Sequence, residues 1–267
     1  MNDDSPRTPA PLAWADGRVV PAEKATVPFL DEGFQRGDAI FETMLVRNGR
    51  THASEGHLER LRRSGRITGI RVPSMLAIIR DLLAAWGELD GQLKLIVSRS
   101  GMTRGLLAPR RVNHPLSLVS LEVPWRTAIS GSKTLSYGPN QWCTHEAKRR
   151  DADDALVIDH EERVLELPTA AICIVKDGEF LTPDPDQLPI LDSVTGRTLA
   201  VIRDVKRTIL TLDDVLAADE AFVLSATRLG VPVRSVDEKS WDAPGPITSQ
   251  VAIDLAAHVD DTLDPLP

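Results

Sequence analysis

A chain of 267 residues with 42% hydrophobic content can bury the core of one large domain or of two ordinary ones, and no apolar run approaches the roughly 20 residues that span a bilayer. The net charge of -8, with Lys and Arg spread along the chain rather than gathered in a stripe, argues against a nucleic-acid partner. Cys143 and Cys173 lie far apart outside any CxxC pattern, which excludes a disulfide framework and a zinc ligand set. The opening MNDDSPRTPAPL lacks the basic-then-apolar order of a signal peptide and reads as the floppy tail of a cytoplasmic protein with no membrane partner.

In chain order, residues 42–47 followed by Asn48-Gly49 and another short run predict a β-hairpin, because Asn-Gly supplies the positive φ angles of a tight turn. Ser54 is placed to cap a helix whose apolar residues Leu58, Leu61 and Ile67 recur at helical spacing. Leu76, Ile79, Leu83 and Trp86 mark a second helix ending at Gly87. Residues 93–98 (LKLIVS) and 116–123 (LSLVSLEV) have strand length and composition, with a Gly-, Arg- and Pro-rich loop between them. The irregular stretch 124–132 (PWRTAISGS) is the expected connection between an N-terminal domain, 1–123, and a C-terminal domain, 133–267. Beyond it the pattern predicts a short strand at 134–137, a helix from Asn140 to about Arg150, and strands at 155–158, 164–167 and 172–175. An Asp177-Gly178 turn into Phe180 and Leu181, a helix over 194–207 and last strands at 221–224 and 231–236 complete it. Strands and helices mixed without regular βαβ alternation favour an α+β fold. Basic runs at 60–66 and 148–150 fall on predicted helices and read for the most part as solvated faces.

Several side chains are candidates for chemistry. Lys133 stands alone in a weakly charged stretch, as a surface lysine beside a strand or as a reactive amine. Glu166, within VLEL, is either a solvent-facing residue of an alternating strand or a carboxylate partner for a buried cation. Ser193-Val194-Thr195 opens a predicted helix, where N–H groups and hydroxyls either hold a phosphate at the positive end of the dipole or simply cap it. Arg99 and Arg104 flank the glycine-containing SRSGMTRG, where guanidinium groups either bind carboxylates or are solvated. An amine, an acid, a phosphate-suited helix start and a carboxylate trap are together what chemistry with pyridoxal phosphate needs. No metal site is expected.

The order and spacing of these pieces resemble the class IV pyridoxal-phosphate family (fold type IV), which includes branched-chain and D-amino-acid aminotransferases and aminodeoxychorismate lyase. The resemblance runs through almost the whole chain and is carried by FQRGDAIFET (34–43), HLERL (57–61), SKTLSY (132–137) and DDALVIDHEERVLE (153–166). It implies that Lys133 is the catalytic Schiff-base lysine and that Glu166 partners the pyridine nitrogen of pyridoxal 5'-phosphate. It also implies that Arg60 in HLERL, with Val194 and Thr195 in SVTG, binds the phosphate. A smaller N-terminal α/β domain, a larger C-terminal domain, a homodimer and a small substrate with amino and carboxylate groups are implied with it. The chain departs from the family pattern at Ala171, where many relatives carry asparagine, and at Leu167-Pro168 in place of small residues. It departs again at Gly196, where arginine is common, with Arg197 following at once.

SRSGMTRGL and LSATRLGVPV (224–233) look more like the lyase branch, and Ala226 falls where transaminases commonly carry a phosphate-binding threonine. Arg99 and Arg104 together suit the two carboxylates of aminodeoxychorismate. The expected activity is therefore that of a 4-amino-4-deoxychorismate lyase, releasing pyruvate and 4-aminobenzoate in the folate pathway. The runner-up is a class IV aminotransferase on branched-chain or D-amino acids, with Arg99 alone holding the carboxylate. A non-catalytic cofactor-binding or scaffold protein, suggested by Ala171 and Leu167-Pro168, is the third reading.

Overall fold

The computed structural model describes residues 9–110 and 113–266, so most of the expected N-terminal tail lies outside the described residues. The described residues divide into two compact units, one within Met1–Arg111 and Leu263–Pro267, the other within Val112–Thr262.

The first unit contains β1 (Leu12–Ala15), β2 (Arg18–Pro21), the short α1 (Glu32–Arg36), β3 (Ala39–Arg47), β4 (Arg50–Thr51), α2 (Ser54–Thr68), α3 (Leu76–Trp86), β5 (Gly91–Ser98) and β6 (Thr103–Ala108). Its strands form one antiparallel six-stranded sheet in the order β2-β1-β6-β5-β3-β4. The expected hairpin is there, turning through Asn48 (φ 50°) and Gly49 (φ 70°). Strand alternation sends Ile40, Met44, Val46, Leu93, Leu95 and Val97 to one face, where Leu58 and Leu61 of α2 and Ile78, Ile79, Leu82 and Trp86 of α3 meet them. Gly105 lets α3 lie close on that face, since a Cβ there would come within 2.6 Å of Ile78 and 2.7 Å of Leu82.

Three expectations for this unit need correction. β6 occupies part of the stretch read as loop, because glycine and arginine dilute its strand pattern and the pairing with β5 and β1 decides. Ser54 does not cap α2. Its backbone N–H is accepted by the Asp264 carboxylate at 2.9 Å, a cap supplied from far along the sequence. Ile67, near the end of α2, faces solvent.

The second unit contains β7 (Leu116–Glu122), α4 (Gly138–Arg149), β8 (Asp154–Ile158), β9 (Ala171–Lys176), β10 (Glu179–Pro183), α5 (Val194–Ile202), β11 (Val205–Thr208), α6 (Leu212–Leu216), β12 (Glu220–Ser225), β13 (Leu229–Val236), β14 (Lys239–Ser240) and α7 (Pro246–Asp261). They build a mixed eight-stranded sheet, β11-β10-β9-β12-β13-β7-β8, with β14 on β13. The pairs β10–β11, β13–β7 and β7–β8 are parallel. Both faces are buried, so β8, β9 and β12 read as continuous apolar runs. Ile172, Ile174, Ala221 and Val223 point into one core with Val164, Leu210 and Val215. Cys173, Val175, Phe222 and Leu224 point the other way, onto Leu199 of α5 and Val251 and Leu255 of α7.

Here too the sequence reading is corrected in places. β7, expected to close the N-terminal domain, pairs with β8 and β13, so 124–132 is a loop inside the second unit, while 263–267 falls with the first. An apolar run such as LSLVSLEV carries no mark of which sheet will take it. The helix expected over 194–207 ends at Ile202, because residues 205–208 add to the sheet beside β10. Residues 134–137 form no strand: the Tyr137 N–H closes a tight turn onto the Leu135 carbonyl, and α4 follows from Gly138 with Pro139 in its first turn. Residues 164–167 make isolated bridges and not a full strand. α7 was not anticipated, its buried Val251, Leu255 and Val259 forming only a narrow stripe. The architecture is α+β. Among the described residues no helix is long and apolar enough to cross a membrane, and no cluster of three or more His, Cys, Asp or Glu side chains is arranged to hold a metal ion.

Candidate active site

Lys133 sits just after a turn built by Thr127, Ser130 and Gly131, the glycine taking a φ of 80°. Its side chain is half-buried, and its Nζ donates to the Tyr137 hydroxyl at 3.4 Å. Tyr137 stands at the start of α4, so the helix fixes the phenol that orients the amine.

Glu166 is buried, which removes the solvent-facing reading of its sequence pattern. Its backbone is held against β8, with Leu165 N–H on the Val157 carbonyl and Val157 N–H on the Glu166 carbonyl. The carboxylate accepts from Trp125 Nε1 at 3.0 Å and from the Leu191 N–H at 3.3 Å. The segment after Leu191 leads directly into α5. There the Ser193 hydroxyl accepts from the Gly196 N–H at 3.0 Å and the Ser193 carbonyl accepts from the Arg197 N–H. These bonds leave the N–H groups of Val194 and Thr195 heading the helix, at the positive end of its dipole. Asp192, just ahead, carries the opposite charge but is bound by Arg197 at 2.9 Å and Arg207 at 3.2 Å, which keeps the helix start attractive to an anion. A Cβ on Gly131 would stand 3.8 Å from the Ile190 carbonyl, so the lysine loop runs beside the same segment. The second unit thus gathers Lys133, Glu166, Val194 and Thr195 around one short stretch of chain.

Arg60, Arg99 and Arg104 belong to the first unit. On β3 the even-numbered positions face the helices, so Glu42 places a carboxylate on an otherwise apolar face, fully buried. Arg60 meets it through Nε at 2.6 Å and Nη2 at 2.9 Å, and His57, one turn earlier on α2, through Nδ1 at 2.9 Å. Burial pushes the Glu42 carboxyl up, but the Arg60 charge and hydrogen bonds, with those of His57, outweigh it and hold it down at about 2. Arg99 follows β5 and is bound to Asp38 and to the carbonyls of Thr68, at 2.7 Å, and Gly69 at the end of α2. Arg104 lies on β6 opposite Ile96, on the sheet face away from α2 and α3, with contacts to the Thr26 carbonyl at 3.1 Å and Asp16 at 3.1 Å.

Glu42, His57, Trp125 and Tyr137 had no assigned role in the sequence reading. Glu42, His57 and Tyr137 lie inside the motif segments, and spacing was the available signal: His57 and Arg60 share one helix face, and Tyr137 falls four residues after Lys133. Nothing local marks Trp125. Of the departures from the family pattern, Leu167-Pro168 lies in a pinned turn, where Asn140 Nδ2 donates to the Pro168 carbonyl at 2.8 Å and Arg228 reaches the Thr169 hydroxyl at 3.1 Å, while Ala171 opens β9 and Gly196 lies in the first turn of α5.

The model of the amino-transferase class IV family matches residues 39–236, and the chain belongs to that family. It is 28% identical over 262 residues to a bifunctional aminodeoxychorismate lyase / D-amino acid transaminase of Mycobacterium tuberculosis, covering 83% of this chain and 90% of that protein. A D-alanine aminotransferase of Listeria monocytogenes is 26% identical over 272 residues, covering 88% and 92%. Among solved structures, the PLP-bound form of a hypothetical aminotransferase from Mycobacterium tuberculosis superposes with a TM-score of 0.83 at 26% identity, over 94% of this chain and 99% of that one.

Proposed function

We propose that this protein is a pyridoxal-phosphate-dependent 4-amino-4-deoxychorismate lyase that releases pyruvate and 4-aminobenzoate. The broader part of this reading rests on the family: the chain is an enzyme, and pyridoxal 5'-phosphate is its cofactor. The residues of the second unit fit that group. Lys133 offers an amine to carry it, Glu166 a buried carboxylate for the ring nitrogen, and Val194 and Thr195 the helix-start donors for its phosphate, to which Arg60 adds a guanidinium. When bound, the cofactor supplies an electron sink for the substrate's amine-bearing carbon. Lys133 would move the proton at that carbon, with its Nζ steered by the Tyr137 hydroxyl. Glu166 would hold a proton at the ring nitrogen, its carboxylate kept in place by its bonds to Trp125 and Leu191. A homodimer is part of the same reading.

The observation that carries the lyase is the pair of guanidinium groups at the β5–β6 hairpin, Arg99 and Arg104, which suits a substrate with two carboxylates. The Mycobacterium tuberculosis relative named for both activities supports it. A second reading, a D-amino-acid or branched-chain aminotransferase, is favoured by the Listeria monocytogenes relative named as a D-alanine aminotransferase. It needs a single carboxylate trap, expected at Arg99; Arg99 is bound to Asp38 and the end of α2, as Arg104 is to Asp16 and the Thr26 carbonyl. The scaffold reading is set aside with the enzyme family established. Aminodeoxychorismate and, separately, D- or branched-chain amino acids with 2-oxoglutarate should be offered to the purified protein. Formation of 4-aminobenzoate and pyruvate is the expected result, and robust transamination without 4-aminobenzoate rejects the lyase.

A further inference from the structure

A charge on the apolar face of a sheet is costly, and the Glu42 carboxylate is fully buried among Ile40, Met44 and the helices. A leucine at 42 would fill that face without desolvating an ion, so the pair with Arg60 is a poor device for stability and a good one for geometry. Both carboxylate oxygens are clamped. Oε1 takes Arg60 Nε at 2.6 Å, while Oε2 takes Arg60 Nη2, His57 Nδ1 and the Thr43 N–H at 2.9, 2.9 and 3.2 Å. A carboxylate clamped at both ends cannot rotate, and a guanidinium forked onto it through Nε and Nη2 has its plane fixed, with the opposite edge aimed away from Glu42.

We propose that Glu42 and His57 are positioning residues for the cofactor phosphate, acting through Arg60: they hold the guanidinium in the one plane that presents its outer edge to the phosphate. This rests on the reading of Arg60 as a phosphate ligand. The depressed Glu42 carboxyl keeps the clamp ionised throughout the neutral range. His57 Nδ1 donates to Glu42, since an ionised carboxylate only accepts.

The test compares pyridoxal 5'-phosphate with pyridoxal, which lacks the phosphate, as ligands of the full chain stripped of cofactor, by equilibrium dialysis. A general packing defect lowers both affinities, whereas a misaligned Arg60 lowers only the preference for the phosphorylated form. Arg60→Ala should cut that preference about 10- to 100-fold, the range of a lost hydrogen bond to a charged group, and Glu42→Gln and His57→Gln should cut it by at least about 3-fold. Combining Glu42→Gln with Arg60→Ala should add nothing to Arg60→Ala alone. An unchanged preference in Arg60→Ala overturns the phosphate reading itself. A loss in Arg60→Ala with none in Glu42→Gln overturns the positioning role alone, as do losses that add in the double variant. If Glu42→Gln does not fold, Glu42→Asp, which withdraws the carboxylate by one methylene, is read by the same ratio and the same criterion.

Discussion

On the proposed function Lys133 and Glu166 divide the work at the level of single side chains, and their variants should separate it. Lys133→Ala should abolish the visible absorbance of the loaded protein and nearly all turnover, and borohydride reduction of the wild type should tag this lysine. Another tagged lysine would refute the assignment. Glu166→Gln is more informative, because a carboxylate accepts from both Trp125 Nε1 and the Leu191 N–H while an amide has a single oxygen. One donor is left facing an NH2 group, which should cost about 1–3 kcal/mol of stability, and a neutral amide cannot hold the ring nitrogen protonated, so turnover should fall steeply. Near-normal turnover with an unchanged melting temperature would contradict both. Glu42 sets an acid limit. Its carboxyl is lowered on folding, so the pair contributes above about 4.5 and is lost as pH falls toward about 2. On the order of 3 kcal/mol is at stake, and melting temperature against pH should be flatter in Glu42→Gln than in wild type over that window. Lys133 and Glu166 could be proposed from the sequence because each sits in a distinctive local string. Glu42 was not, since an acid in a strand reads as solvent-facing until α2 is known to lie over it.

Among the elements, α2 matters most because it carries both His57 and Arg60, and its start is held by a residue from the far end of the chain. Asp264 accepts the Ser54 N–H at 2.9 Å, its own N–H bonds the Thr51 carbonyl at 2.8 Å, and Arg50 grips the carbonyls of Leu263 and Asp264 at 2.7 Å each. Asp264→Ala should therefore act as the loss of an N-cap, costing about 0.5–2 kcal/mol in thermal or chemical denaturation, with Asp264→Asn milder because it keeps an acceptor but loses the charge at the helix dipole. A null effect of the alanine variant would leave the helix start without a cap of any consequence. Elements with a strong local period, such as α3, β5 and β9, could be read from the chain alone. β6, β11 and α7 could not, and for one reason: each is chosen by the surface it packs on. Arg207 and Lys206 belong to a strand only because β10 offers them an edge. The same holds for the capping of α2, where Ser54 carries the local signal and Asp264 does the capping.

The fold of the whole molecule does not select the reaction, since relatives named for lyase and for transaminase activity share the family. On the proposed function the choice falls to the β5–β6 hairpin, where Arg99 and Arg104 differ in how they are held. Arg99 ties three pieces of the first unit together, Asp38 before β3, the end of α2, and its own loop. Its replacement by alanine should lower the melting temperature whichever reaction is catalysed. Arg104 spans from β6 to the Thr26 carbonyl and Asp16, with a mostly buried side chain. Each lost charge-assisted contact to a substrate carboxylate should cost about 1.5–3 kcal/mol, roughly ten- to a hundredfold in kcat/KM. A lyase acting on a dicarboxylate should lose that factor in both Arg99→Ala and Arg104→Ala, assayed as 4-aminobenzoate formation well below each variant's melting temperature. A transaminase acting on monocarboxylate amino acids should lose it mainly in one of the two variants and tolerate the other, because a second guanidinium has no charge to neutralise there. A full kinetic loss in Arg99→Ala with 4-aminobenzoate as product would mean that Arg99 exchanges Asp38 for the substrate, whereas an unaffected Arg104→Ala would reject the two-carboxylate trap.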